Sequence, residues 1–238
     1  MDSYVEKAGS DDPSDIADYL GYLFVDPGPS IEGFITVRKQ TICYGVNKGM
    51  RKKKYKFGVG HELYHGVCGH IQIPGFLSGK ALSHVDGIGS MADYKLVAST
   101  EREANIGSAD LICDTDTTLE MIGYDNGYYL EFRQNMADFT QYDRDLRKYL
   151  DLSRCNPESD KYRRKVNWYR SELERLYEEI QEQSSDLVNS GICFSKGEIA
   201  RELGVPESIV SYKIDALSIR GYDIDMVELP SFEKIFRH

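Results

Sequence analysis

No stretch of this 238-residue chain approaches the ~18–20 consecutive apolar residues that a membrane-crossing helix needs, so nothing in it reads as a transmembrane segment. A secretory leader starts basic and turns apolar, whereas MDSYVEKAGSDDPSD is acidic and polar. The five cysteines, Cys43, Cys68, Cys113, Cys155 and Cys193, are odd in number and never spaced CxxC. That argues against a disulfide framework or a thiolate zinc site and for reduced thiols. These absences lead us to expect a cytoplasmic protein. Positive charge is also short: 29 Lys and Arg face 39 Asp and Glu, a net of −10. Such a chain repels a phosphate backbone unless a local basic patch overrides the sum, which disfavours direct DNA binding. Internal repeats, low-complexity tracts and phosphate-loop glycine spacing are absent too. What remains is 41% hydrophobic and 11% aromatic residues, enough to bury a core in one or two domains.

After a frayed start to Asp12, the pattern predicts a helix over Pro13–Phe24 with Ile16, Leu20 and Leu23 on one face, halted by Asp26-Pro27-Gly28-Pro29. Ile31–Val37 and Thr41–Val46 read as an antiparallel hairpin turning at Arg38-Lys39-Gln40. Arg51–Lys56 holds five cations in six residues and reads as the solvated start of a helix running from about Tyr55 to Gly69, in preference to a nucleic-acid patch. A loop through Pro74, Gly75 and Gly79 and a glycine-rich mobile stretch over Ser83–Met91 follow. Another helix is expected from about Ala98, capped by Ser99 or Thr100 with Glu101 and Glu103 in its first turn. Beyond Tyr128 the chain turns to long polar helices, over Glu131–Leu150 and Ser159–Leu187, parted by Asn156-Pro157. Tyr162, Val166, Tyr169, Leu173, Leu176, Ile180 and Leu187 follow 4-3 spacing broken only by Gln183, a stripe expected to pack on the preceding helix as an antiparallel hairpin. Ser195–Leu217 reads as helix-turn-helix around Gly204-Val205-Pro206-Glu207. Three segments result: a core over 13–125, a helical hairpin over 126–190 and a helix-turn-helix-like segment over 191–238.

Chemistry concentrates in His61-Glu62-Leu63-Tyr64-His65, an HExxH sequence in mid-helix. Positions i and i+4 place both imidazoles on one face, where they can hold one zinc ion, with Glu62 beside them to take a proton from water. A third ligand is needed. Metzincin spacing would put Gly and His where Cys68 and Ile71 stand, which disfavours that class. His70 lies nine residues beyond His61, pointing about 180° away at 100° per residue, which suits a supporting or structural role. The acids of Glu101-Arg102-Glu103-Ala104-Asn105 remain, with loop His84 a further candidate.

These two motifs make the chain resemble the ImmA/IrrE family of zinc metallopeptidases, whose active-site helix carries HELxH and whose next helix carries E-x-E-A-N. The likeness spans roughly residues 13–125 and returns weakly at 195–221. Gly107-Ser108 stand where the family has Phe-Ala, and Cys113-Asp114 replace its Met-Pro ending. The resemblance implies an α+β, mostly helical fold: a minimal gluzincin-like core with a small antiparallel sheet, to which the helical hairpin and the C-terminal segment are additions. It also implies a zinc cofactor on His61, His65 and Glu103, with Glu101 as the fallback ligand and Glu62 as general base. The implied activity is site-specific cleavage of a helix-turn-helix repressor of a mobile element or stress response. A net −10 surface suits such a basic partner. The rival reading is a DNA-binding or repressor-sequestering regulator acting through the C-terminal segment, but residues 196–238 hold six Lys and Arg against eight Asp and Glu, where a groove-reading helix wants clustered cations.

Overall fold

The computed structural model describes residues 2–73, 91–224 and 226. The expected loops over 74–90, with candidate ligand His84, lie outside the described residues. The chain is α+β and mostly helical, and it divides into two compact units, one of residues up to Thr117 with Lys196–Ile224, the other centred on Thr118–Ser195.

The first unit opens with helix α1 (Asp2–Ala8), where a frayed end is expected from the sequence, and α2 (Pro13–Tyr19). Asp12 caps α2 by accepting from the Ser14 amide at 3.0 Å, with Pro13 in the first turn. The helix stops sooner than apolar spacing suggests. Gly21 takes a left-handed φ of 72°, so the Tyr22 amide donates back to Ala17 and the chain leaves the helix. Leu23 therefore falls in strand β1 (Leu23–Phe24) and is 56% exposed instead of lying on the helix face. Strands β2 (Gly33–Arg38) and β3 (Thr41–Val46) form the expected hairpin, in register from Gly33 opposite Val46 to Arg38 opposite Thr41. Its two-residue turn holds Lys39 and Gln40 at φ 47° and 68°, the positive values a tight hairpin turn requires. The sheet is mixed where an antiparallel one is expected. β1 runs parallel beside β3, giving among the described residues the order β1-β3-β2, with β3 in the centre.

Helix α3 (Lys52–Val67) lies on this sheet, with Val59 and Leu63 meeting Ile16, Ile35, Tyr44 and Val46 in the core. Lys52, Lys53 and Lys54 are exposed at its start, as a solvated charge run should be. Helix α4 (Met91–Ile112) crosses α3. It begins well before Ser99 and Thr100, whose hydroxyls are not caps but donate to the carbonyls of Leu96 and Val97 at 2.7 and 2.9 Å; back-bonding satisfies them within the helix. Helix α5 spans Thr115–Ile122. Helices α8 (Lys196–Leu203) and α9 (Glu207–Ile219) belong to this same unit, with α9 packed on α4. Lys213 of α9 is fully buried, donating to Asp110 at 2.8 Å and to Thr115 at 2.9 Å.

The second unit is built on α6 (Gly127–Cys155) and α7 (Asp160–Asn189). Tyr128 reaches Asp186, Asn135 reaches Gln183 and Tyr149 lies beside Tyr162, so the helices run antiparallel. Phe132, Met136 and Phe139 meet Leu173, Leu176, Ile180 and Leu187, with Ile192 and Phe194 added from the following segment. Each such side chain contributes about 1.5–3 kcal/mol of transfer free energy. Gln183, the break in the apolar stripe, is buried and accepts from Asn135 at 3.0 Å, a pairing that fixes register without leaving a polar group stranded. No helix among the described residues is long and apolar enough to cross a membrane.

Candidate metal centre

One turn of α3 separates His61 from His65, and their Nε2 atoms stand 3.0 Å apart. Both face one carboxylate, that of Glu101 on α4: Oε2 is 3.2 Å from His61 Nε2, and Oε1 is 3.4 Å from His65 Nε2. The acid beside the pair is thus Glu101 and not Glu103. Two residues along a helix rotate a side chain by about 200°, so only one of these glutamates can look at α3. Glu103 reaches His70 instead, with Oε2 3.2 Å from Nε2.

His70 arrives from behind. α3 ends at Val67, Gly69 turns left-handed at φ 74°, and a short 3-10 turn over His70–Gln72 lays the buried His70 ring against His65, Nδ1 to Nδ1 at 2.9 Å. His61 meets a second support, its Nδ1 lying 3.0 Å from Asn105 Oδ1, while the Asn105 amide donates to the Tyr212 hydroxyl at 3.4 Å.

One proton assignment satisfies both chains. His61 Nδ1–H donates to Asn105; His65 Nδ1–H donates to His70 Nδ1; His70 Nε2–H donates to Glu103. Each of His61 and His65 then keeps Nε2 for the face shared with Glu101. Burial lowers the pKa of His65, whereas for His61 burial is outweighed by the Glu101 hydrogen bond and the nearby Glu62 charge, and its pKa rises. Burial alone would raise Glu101, but the His61 and His65 rings that face it hold its carboxyl down at about 2. This carboxylate is ionised at any ordinary pH. The donor set is therefore two imidazole nitrogens and one carboxylate, with ligand atoms within 4.8 Å of one another, and Glu101 Oε1 is buried without a hydrogen-bond donor. That is the composition of a catalytic zinc site with three protein ligands.

Cys68, His70 and Glu103 also cluster within 4.8 Å. Burial and the adjacent Glu103 raise the Cys68 pKa, keeping the thiol protonated, and a metal on His70 Nε2 would push that ring's proton onto Nδ1, against His65. The trio fits the support of His65 better than a site of its own.

Glu62 is 3% exposed. With Gly33, Met50, Phe57, His61 and Asn105 it lines a cavity of about 190 Å³. A Cβ on Gly33 would stand 2.7 Å from Glu62 Oε1, so a side chain there would displace the carboxylate. Asn105 lies within the quoted motif, but Tyr212, 107 residues away in sequence, left no local signal; packing of α9 on α4 delivers it.

Tyr64 points away from the histidines onto Gly107. A Cβ on Gly107 would collide with the Tyr64 ring, and a Cβ on Gly60 would meet Ser108 Oγ at 2.6 Å. Gly107-Ser108 is thus matched to α3 by two interlocked contacts. Gly107→Ala is expected to destabilise by about 3 kcal/mol, the upper range for overpacking. Combined with Tyr64→Ala, the loss should fall short of the summed single effects by at least about 1 kcal/mol. Denaturant melts of the three variants measure this; strict additivity would show that the two residues do not collide.

No family model, curated protein or solved structure matches this chain.

Proposed function

We propose that this chain is a zinc-dependent, site-specific endopeptidase with His61, His65 and Glu101 as metal ligands and Glu62 as general base. The observation that carries this reading is the convergence of two helical imidazoles and an ionised glutamate beside a buried carboxylate that lines a cavity. Zinc held by these residues supplies a Lewis acid that acidifies water and polarises a peptide carbonyl. The rest is the work of the chain. Glu62 accepts the proton of the attacking water and returns it to the departing amine. Asn105 and His70 hold the two ligand rings in their working tautomers.

The substrate rests on the resemblance to ImmA/IrrE peptidases, which points to a helix-turn-helix repressor, and on the net charge of −10, which steers a basic partner toward the chain. The regulator reading through the C-terminal helices is weaker. Residues Ile209, Val210, Ala216 and Leu217 of α9 are buried, and the cations Lys213 and Arg220 are both spent on Asp110, leaving little for a DNA groove. The test is incubation of purified, zinc-loaded protein with any helix-turn-helix regulator found encoded beside it, with mass spectrometry of the products. One or two discrete cuts, abolished by a chelator, are expected. No cut in any co-encoded regulator, together with tight operator binding, would overturn the proposal.

A further inference from the structure

Helix α7 is electrically divided. Residues 144–170, which comprise the end of α6, the Asn156-Pro157 turn and the start of α7, hold nine Lys and Arg against four Asp and Glu, a net of +5 in a chain of net −10. Residues 171–189 hold one Arg against six Asp and Glu. Helix stability does not ask for this pattern. The first turn of a helix carries the positive end of the macrodipole, where cations such as Lys161 and Arg163 are disfavoured. Arg147, Arg154 and Arg163 are answered by Asp143, Asp151 and Asp160. Lys161, Arg164, Lys165 and Arg170 are exposed and, among the described residues, in no ion pair.

Lys161, Arg164, Lys165 and Trp168 recur at i, i+3, i+4 and i+7 and so share one face. Trp168, the single tryptophan of the chain, is 46% exposed. Its ring stands edge-on to Tyr169 at 4.8 Å and 5.6 Å from Tyr142, and Lys165 Nζ lies 5.5 Å from its centre. Tyr149 stacks on Tyr169 at 5.5 Å and approaches Tyr162 at 6.5 Å, continuing an aromatic ladder between the helices.

We propose that this hairpin tip binds single-stranded nucleic acid, with Lys161, Arg164 and Lys165 meeting phosphates and Trp168 stacking on an unpaired base. Exposed cations outside any ion pair among the described residues, on one helix face beside an aromatic ring left half in water, are the two elements such surfaces combine. An acidic peptide would satisfy the charges but bring no flat partner for the indole, and a duplex keeps its bases stacked on one another. The proposal stands apart from the metal centre and does not depend on it.

Because Trp168 is the only tryptophan, its fluorescence in the full chain reports this tip alone. Titration with an oligothymidine of about 16 nucleotides at low salt is expected to quench it saturably, with log K falling against log salt at a slope of about −2, three phosphates at −0.7 each. The combined Lys161→Gln, Arg164→Gln, Lys165→Gln variant should bind at least tenfold more weakly without an appreciably lower melting temperature, since the three side chains are exposed and in no ion pair among the described residues. Trp168→Leu, followed by anisotropy of a labelled oligonucleotide, should lose about fivefold to a hundredfold. Absence of quenching overturns the proposal, as does undiminished binding by the charge variant. Equal binding of polyglutamate also overturns it, and would assign the surface to an acidic polypeptide.

Discussion

Glu62→Gln is expected to lower peptide hydrolysis by about 10²–10⁴-fold, the usual worth of a positioned general base, while leaving the metal content of the protein unchanged. The substitution is nearly isosteric, and the carboxylate lies in a buried slot closed on one side by Gly33, so the amide fits without repacking. It removes the proton acceptor and no ligand. His61→Ala acts differently: it deletes one of three converging donors, so metal and hydrolysis should vanish together. Metal analysis of the two variants, alongside turnover of a confirmed substrate, separates the roles. Cleavage by Glu62→Gln near the wild-type rate would remove Glu62 from the mechanism even if the metal ligands stand.

The second large effect concerns the two glutamates of α4. Glu101→Ala should weaken zinc binding well beyond the about 10- to 100-fold that loss of an outer partner costs, because its carboxylate faces both Nε2 atoms. Glu103→Gln and His70→Gln should each fall within that 10- to 100-fold range, since they act through His65 Nδ1 and touch no shared ligand atom. Competition against a fluorescent chelator gives all three affinities. If Glu103→Gln releases the metal and Glu101→Ala retains it, the ligand set is the other one. The pH dependence has a definite sign. The pKa of His61 is raised by Glu101 and Glu62, and a protonated imidazole cannot ligate. Zinc affinity in the wild type should therefore drop as pH falls through that raised value, with a proton released on binding below it and none from this ring above it.

Much of the site is legible without a structure because it is local. A spacing of four residues on one helix brings His61 and His65 together whatever α3 packs against, and it places Glu62 beside them. The hairpin at 33–46 follows from β-prone runs on either side of a short turn. The stripe from Val166 to Leu187 follows from its 4-3 repeat, and even its exception, Gln183, is explained once Asn135 is seen opposite it. The miscounts are local as well: a glycine in the left-handed region at Gly21 ends α2 before the apolar spacing does, and Ser99 and Thr100 satisfy themselves inside α4 where their residue types suggest a cap.

Sequence pattern alone sufficed for the helical character of α2, α3, α4 and α6 to α9, though not of α1 or α5, and for the imidazole pair and the acids within its reach, because the 3.6-residue repeat of a helix needs no partner. Only the tertiary structure decided that Glu101 meets the pair while Glu103 backs His70, and that Asn105 and Tyr212 support His61. Those choices depend on the rotation of α4 about its own axis, which is set where α3 and α4 interlock at Gly60 with Ser108 and at Tyr64 with Gly107, and on the packing of α9 against α4 around the buried Lys213–Asp110 pair. A turn of α4 by half a revolution would exchange the two glutamates with no change in sequence, and close packing is what forbids it.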